Sequence, residues 1–571
     1  MSKLSFVLSI LFLPFSLHSI QAQVAGTKAG TATVSGRVTL KGEPARGVMV
    51  ILQVQNSPVA SNSPRAKPDE SGRFQFTGVA AGRYSVSALA PGYVTPGDNM
   101  IGIRGGQTLN VAEGEKIENV DIEIKRGGVI AGRVTDSQNR PVIEETINLI
   151  KLDRNNRPQN YFSYSANFDM SRTDDRGFYR IYGLPEGRFL VSVGNAETPG
   201  SARITSNSEF YSRVFYPNVT SESEAKAIEV SEGSEATDID ITVPDPKKTR
   251  EVFGRVVDGG AGQPVAGVEV GIGGLTKDGK YAGGYSGSGS RSGPNGEFRL
   301  FGVIPGRYAL LALPDGVFGG GSNSAGYISE PVIIDTSESD VTGVEVKVRL
   351  GASISGVAVI EGTNDPKTLA KLSQVNITAL IRPAGPTPSA PSARRPVRVN
   401  PDGSFRINGL QSGKAMIMTE PPPDMRGLTV GRVEFNGAPA PEGIELDPGE
   451  QVTGVRVILV YGTLTLRGEL KIIGGSFPAG QRFRVAARKV DQQMQNSQGA
   501  EVDARGQFII ENLTPGEYEI RVSPFFNPNS EQLDPQLMRR LMTFKERVVV
   551  AGGNQQPVAL VVDLSRKEGN Q

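Results

Sequence analysis

The stretch GRFQFTGVAAGRYSV (72–86) decides the reading of this chain, because the chain repeats its plan four more times. The other copies are GFYRIYGLPEGRFLV (177–191), GEFRLFGVIPGRYAL (296–310), GSFRINGLQSGKAMI (403–417) and GQFIIENLTPGEYEI (506–520). Successive copies start 105, 119, 107 and 103 residues apart. That period is too long for a solenoid repeat and suits one small domain per copy. Within each copy one face alternates: Phe74 and Phe76, Tyr179 and Ile181, Phe298 and Leu300, Phe405 and Ile407, Phe508 and Ile510. Period-two apolarity marks a strand with one buried side. The next apolar residue (Val79, Leu184, Val303, Leu410, Leu513) comes three positions on, so the strand ends or bulges there. A glycine follows at 82, 187, 306, 413 and 516, where a turn can take positive φ, and a second alternating run starts.

Working outward, each unit opens with a strand holding a central glycine: Gly36, Gly132, Gly254, Gly356 and Gly468. Glycine inside a strand predicts a bulge or a close backbone approach, and its recurrence predicts one shared geometric need. Each unit closes on a clean alternation, such as Val120, Ile122, Ile124 or Val344, Val346, Val348. Mostly polar residues interleave these runs in the first three units, as in antiparallel sheets wet on one face. The spacing predicts an all-β chain of five sandwiches: 30–126, 127–248, 249–350, 351–461 and 462–566. Linkers such as Arg126-Gly127-Gly128 and Leu350-Gly351 are very short, which predicts a rod of stacked domains about 170 Å long. One helix is expected in the fifth unit, capped by Asp534, opening on Pro535 and running to about Thr543.

Composition removes whole classes of chemistry. The chain has 571 residues, no Cys, no Trp and one His, His18. Residues 1–22 read as an export signal, with Lys3, an apolar run from Leu4 to Leu17 and a small Ala22. The mature chain then lacks His, which excludes Ser-His-Asp and Cys-His nucleophiles, Cys/His zinc sites and haem ligation through His or Cys. Carboxylate-only chemistry stays open. A net charge of +1 with mixed signs argues against nucleic-acid binding. After the signal no apolar run is long enough to span a membrane as a helix, so an extracytoplasmic location is expected.

The box and the opening Gly-Arg-Val strand resemble the carboxypeptidase regulatory-like domain, a transthyretin-like sandwich. They resemble the Cna-B-type and starch-binding-like sandwiches less closely. The turn into Tyr84, Tyr308 and Tyr518 is similar to the corner of immunoglobulin-like sandwiches, where a Tyr hydroxyl ties back to backbone; Phe189 and Ala415 cannot make that bond. The resemblance implies a non-catalytic module; from the residues themselves, no cofactor and no metal are expected. No Lys falls on the inward face of the glycine strands, so Cna-B-type isopeptide crosslinks are not expected.

Sharper motifs weaken on inspection. GLTKDGKY (274–281) approaches a phosphate loop, but Tyr281 stands where a hydroxyl should meet magnesium and no helix follows; a hairpin is expected. The turns holding Asp69, Asp174 and Asp402 lack a calcium-loop series and read as Asx turns. Unit two holds twelve of the chain's 37 Phe and Tyr residues. Tyr161, Phe162, Tyr164, Phe168, Phe210, Tyr211, Phe215 and Tyr216 are the candidate ligand-binding rings, for carbohydrate or a surface protein partner. Exposure of these rings favours binding; burial favours a structural stalk or adhesin-like spacer. An accessory subunit of a hydrolase is the third reading.

Overall fold

The computed structural model describes residues 30–565, apart from 56–62, 96–105, 154, 159–170, 196–203, 206, 283–284, 286–288, 314–325, 364, 383–395, 421–426, 476–481, 491–496, 525–534, 553–555 and 564. The expected export signal, His18 and Asp534 lie outside the described residues. So do half of the polar stretch 55–68 and most of the Gly/Ser stretch 315–326 and the Pro-rich stretch 382–396.

Every unit uses the same plan. In the first, Ala32–Leu40 runs antiparallel to the box strand Arg73–Val79 and parallel to the closing strand Ile122–Arg126. The facing sheet is Arg65–Ala66, Met49–Val54, Gly82–Leu89 and Gln107–Val111, in that order. The opening strand is likewise antiparallel to the box strand and parallel to closing residues in units two to five. The alternating residues point between the sheets. Five main apolar clusters draw their buried members from 32–124, 130–243, 252–348, 352–459 and 466–562. Fully burying a Phe or Ile side chain is worth about 1.5–3 kcal/mol, and Phe74, Phe76, Phe298, Phe405 and Phe508 are all buried.

Of the two readings of the strand glycines, close approach holds in all five units. A Cβ added to Gly36, Gly132, Gly254, Gly356 or Gly468 would stand 2.0, 2.2, 2.3, 1.7 or 2.4 Å from a carbonyl oxygen of the closing segment. The shared need is close approach of two parallel backbones. The register also slips between the opening and box strands in all five units, for instance Ala32↔Val79 but Val34↔Phe76. The extra residue of each bulge sits in the left-handed region: Gly78, Gly183, Gly302, Gly409 and, in the fifth, Asn512 at φ 66°. Asn is the side chain best able to replace Gly there.

The tyrosine corner forms where it is expected. Tyr84, Tyr308 and Tyr518 donate to the carbonyls of Ala80, Ile304 and Thr514 at 2.9, 2.7 and 2.9 Å. The acidic turns are Asx turns: Asp69 accepts from the backbone of Ser71 and Arg73, Asp174 from that of Arg176 and Phe178, and Asp402 from Ser404. Residues 274–281 form a hairpin closed by a Leu275↔Tyr281 bridge, with Tyr281 buried. The fifth unit's helix is Pro535–Thr543, seated by Leu537 and Leu541 one turn apart. A shorter helix, Pro366–Ala370, capped by Asp365, was not foreseen.

The straight rod needs correcting. Strand Gln107–Val111 of the first sandwich lies against Gln507–Leu513 of the fifth, and Arg505 pairs with Glu115 at 2.8 Å. The file of domains bends back until its two ends touch. Linker length fixes how closely neighbours sit, but not the angle each junction adds.

Candidate functional sites at the domain junctions

Three of the four junctions are built alike. The Gly127 N–H donates to the Gly92 carbonyl at 2.9 Å, Gly351 to Gly326 at 3.0 Å, and Gly462 to Gly427 at 2.8 Å. Each linker glycine then rests on the bulge residue of the next box. A Cβ on Gly127 would lie 2.4 Å from the Cα of Gly183, and one on Gly351 2.6 Å from the Cα of Gly409. One on Gly462 would lie 2.0 Å from the Asn512 oxygen. The bulge thus serves twice, bending its own strand and giving the linker glycine a backbone seat.

The junction between the second and third sandwiches differs. Thr205 donates its N–H to Gly302 at 2.9 Å, Ile204 bridges Val303 and packs on the third core, and Glu209–Phe210 pairs antiparallel with Lys247–Lys248. Beside these contacts opens a cleft of about 540 Å³, lined by Asn207, Ser208, Thr249, Glu251, Arg299 and Phe301. Arg299 grips Glu251 through Nε and Nη2 at 2.6 and 2.8 Å. That pairing holds the Glu251 carboxyl below the usual carboxylate range. Phe301 is 59% exposed. An open ring beside a fixed planar ion pair and an amide gives one apolar face and several oriented polar groups, the mix used by small-molecule sites. One signal in the sequence marks it: Phe301 is aromatic at a box position out of phase with the inward alternation.

The candidate rings of unit two divide. Tyr161, Phe162, Tyr164 and Phe168 lie outside the described residues. Phe210 and Phe215 are each 4% exposed, and Phe215 packs with Leu152 and Leu190. Tyr211 and Tyr216 are half-buried against the unit-two core. Burial, and then the nearby Glu145 carboxylate, push the Tyr211 hydroxyl above its ordinary pKa. The structure therefore brings Phe210 and Phe215 into packing and leaves partial access to the two tyrosines.

Among the described residues, no group of three or more His, Cys, Asp or Glu could hold a metal, and no helix is long and apolar enough to cross a membrane.

Comparison with curated proteins finds no match. Among solved structures, a streptococcal ancillary pilin is 15% identical over 56% of this chain and 99% of its own, with a TM-score of 0.23. GBS52, the minor pilin of Streptococcus agalactiae, is 15% identical over 38% and 96%, with a TM-score of 0.18. BcpA, the major pilin subunit of Bacillus cereus, is 12% identical over 55% and 99%, with a TM-score of 0.13. Those scores are too low to carry any property to this chain. In the family comparison, residues 33–124 match the carboxypeptidase regulatory-like domain, so the first sandwich is similar to that family, and four more on the same strand plan follow it.

Proposed function

We propose that this chain is an exported, non-catalytic scaffold of five sandwiches that binds carbohydrate or a cell-surface polymer. The observation that carries the scaffold reading is the repeated junction, in which a linker glycine is seated on the next domain's bulge. Three such joints seat one domain closely on the next, as a protein needs if it presents surfaces rather than performs chemistry. The binding part is supported by the cleft at Phe301 and Asn207, and by the half-buried Tyr211 and Tyr216. The rings at 161, 162, 164 and 168 belong to the same proposal.

A pull-down on insoluble cell-wall and storage polysaccharides tests it. Phe301→Ala with Asn207→Ala should release the chain if the cleft holds the sugar; Tyr211→Ala with Tyr216→Ala should do so if the rings of unit two do. Retention of both variants at the wild-type level removes both assignments. The burial of Phe210 and Phe215 favours a second reading, a spacer that binds another protein, which predicts no polysaccharide retention even by the wild-type chain.

A further inference from the structure

The contact between the first and fifth sandwiches joins two sheet edges. Gln107–Val111 is the outermost strand of its sheet, as are Gln498–Glu501 and Gln507–Leu513 of theirs. Outer strands carry unpaired backbone groups that template association. At Asn110 those groups are met by side chains of the fifth sandwich. The Asn110 N–H donates to Asp503 Oδ2 at 3.2 Å, and its carbonyl accepts from Arg505 Nη2 at 2.9 Å. Its Nδ2 reaches the carbonyls of Glu501 and Gln507 at 3.2 and 2.8 Å. Arg83 adds a bond to the Gly499 carbonyl at 2.7 Å and lies 3.8 Å from Glu511.

Every one of these contacts is polar. The apolar clusters of the first and fifth units share no residue. Asn110 Oδ1 is buried with no partner. A joint with this many charged and hydrogen-bonded contacts is more sensitive to salt than any sandwich core. Its two halves sit at opposite ends of one chain, so each is complementary to the other half on any second copy.

We propose that this contact is an exchangeable clasp, which closes the five sandwiches on themselves and, once open, docks the first sandwich of one copy onto the fifth of another. A heterologous contact of this type closes in one chain or propagates between chains. The linkers favour self-closure by raising the local concentration of the two halves. Concentrated, opened chains should therefore exchange partners. The proposal is independent of what the chain binds.

The test is a charge exchange on the full chain, read by light scattering after size exclusion at low salt. Arg83→Glu and Glu511→Arg each place like charges across the contact, so each should run as an expanded monomer. The double variant should run as a compact monomer like wild type. A mixture of the two single variants should double in mass, because opposite charges then meet only between copies. A mixture that stays monomeric overturns the docking of a second copy. Single variants as compact as wild type overturn the clasp itself. Wild type gives a readout free of substitutions: opened in about 1 M salt, where the Debye length is near 3 Å, concentrated and returned to low salt, it should yield dimers. Monomers alone overturn the exchange.

Discussion

Gly36 lies beneath the carbonyl of Val120, so close that a Cβ on the glycine would stand 2.0 Å from that oxygen. The atom in the way is backbone, and it cannot rotate aside. Gly36→Ala should push the opening and closing strands apart and cost about 1–3 kcal/mol, the usual range for overpacking. Calorimetry of the full chain should show one transition moving down by at least about 4 °C while the others stay.

Removing one hydroxyl tests the corner. Tyr308 is buried, and its bond to Ile304 is 2.7 Å long. Tyr308→Phe keeps the ring and strips the donor from a buried carbonyl. The expected loss is about 1 kcal/mol, read as a shift in the urea midpoint of the third unit with no change in slope.

Acid should loosen the box turns in a set window. The Ser71 hydroxyl and then the Arg73 N–H hold the Asp69 carboxyl below its ordinary 3.8. Asp402 is lowered by Ser404 in the same way. A carboxylate depressed in the folded state contributes stability that is present above its unfolded pKa and lost as pH falls through the folded one. The loss therefore belongs below pH 3.8. Asp69→Asn with Asp402→Asn keeps an acceptor oxygen for the backbone donors but cannot titrate. The double variant should show a shallower fall in denaturant midpoint between pH 4 and 2 than wild type.

Junction rigidity has its own test. Gly127→Val sets a branched side chain where 2.4 Å separates a Cβ from Gly183 Cα. The two cores should stay intact while the joint opens. Limited proteolysis should then cut near residue 127, which wild type resists, with circular dichroism unchanged.

Much of the fold was legible because it rests on local rules. Phe74 and Phe76 alternate inward whatever their neighbours do, and a strand glycine such as Gly254 has few uses besides close approach. The bulge was readable from the three-residue step to Val79, and Asn512 keeps it in the one unit that lacks the glycine. The site was harder to read. Phe210 and Phe215 are buried, and Phe215 packs on Leu152 and Leu190, distant from it in sequence, which composition does not reveal. The cleft at Phe301 needs residues from two units to meet, and the meeting of Asn110 with Asp503 joins residues 393 positions apart. Such contacts depend on junction angles that no single repeat encodes.

In each sandwich the opening strand runs parallel to closing residues of the same unit, so the chain enters at one end of that pair and leaves at the other. Tension along the polypeptide then pulls the two strands past each other. Their rungs are loaded together in shear, and none can be peeled first. A body so connected resists stretching along the chain.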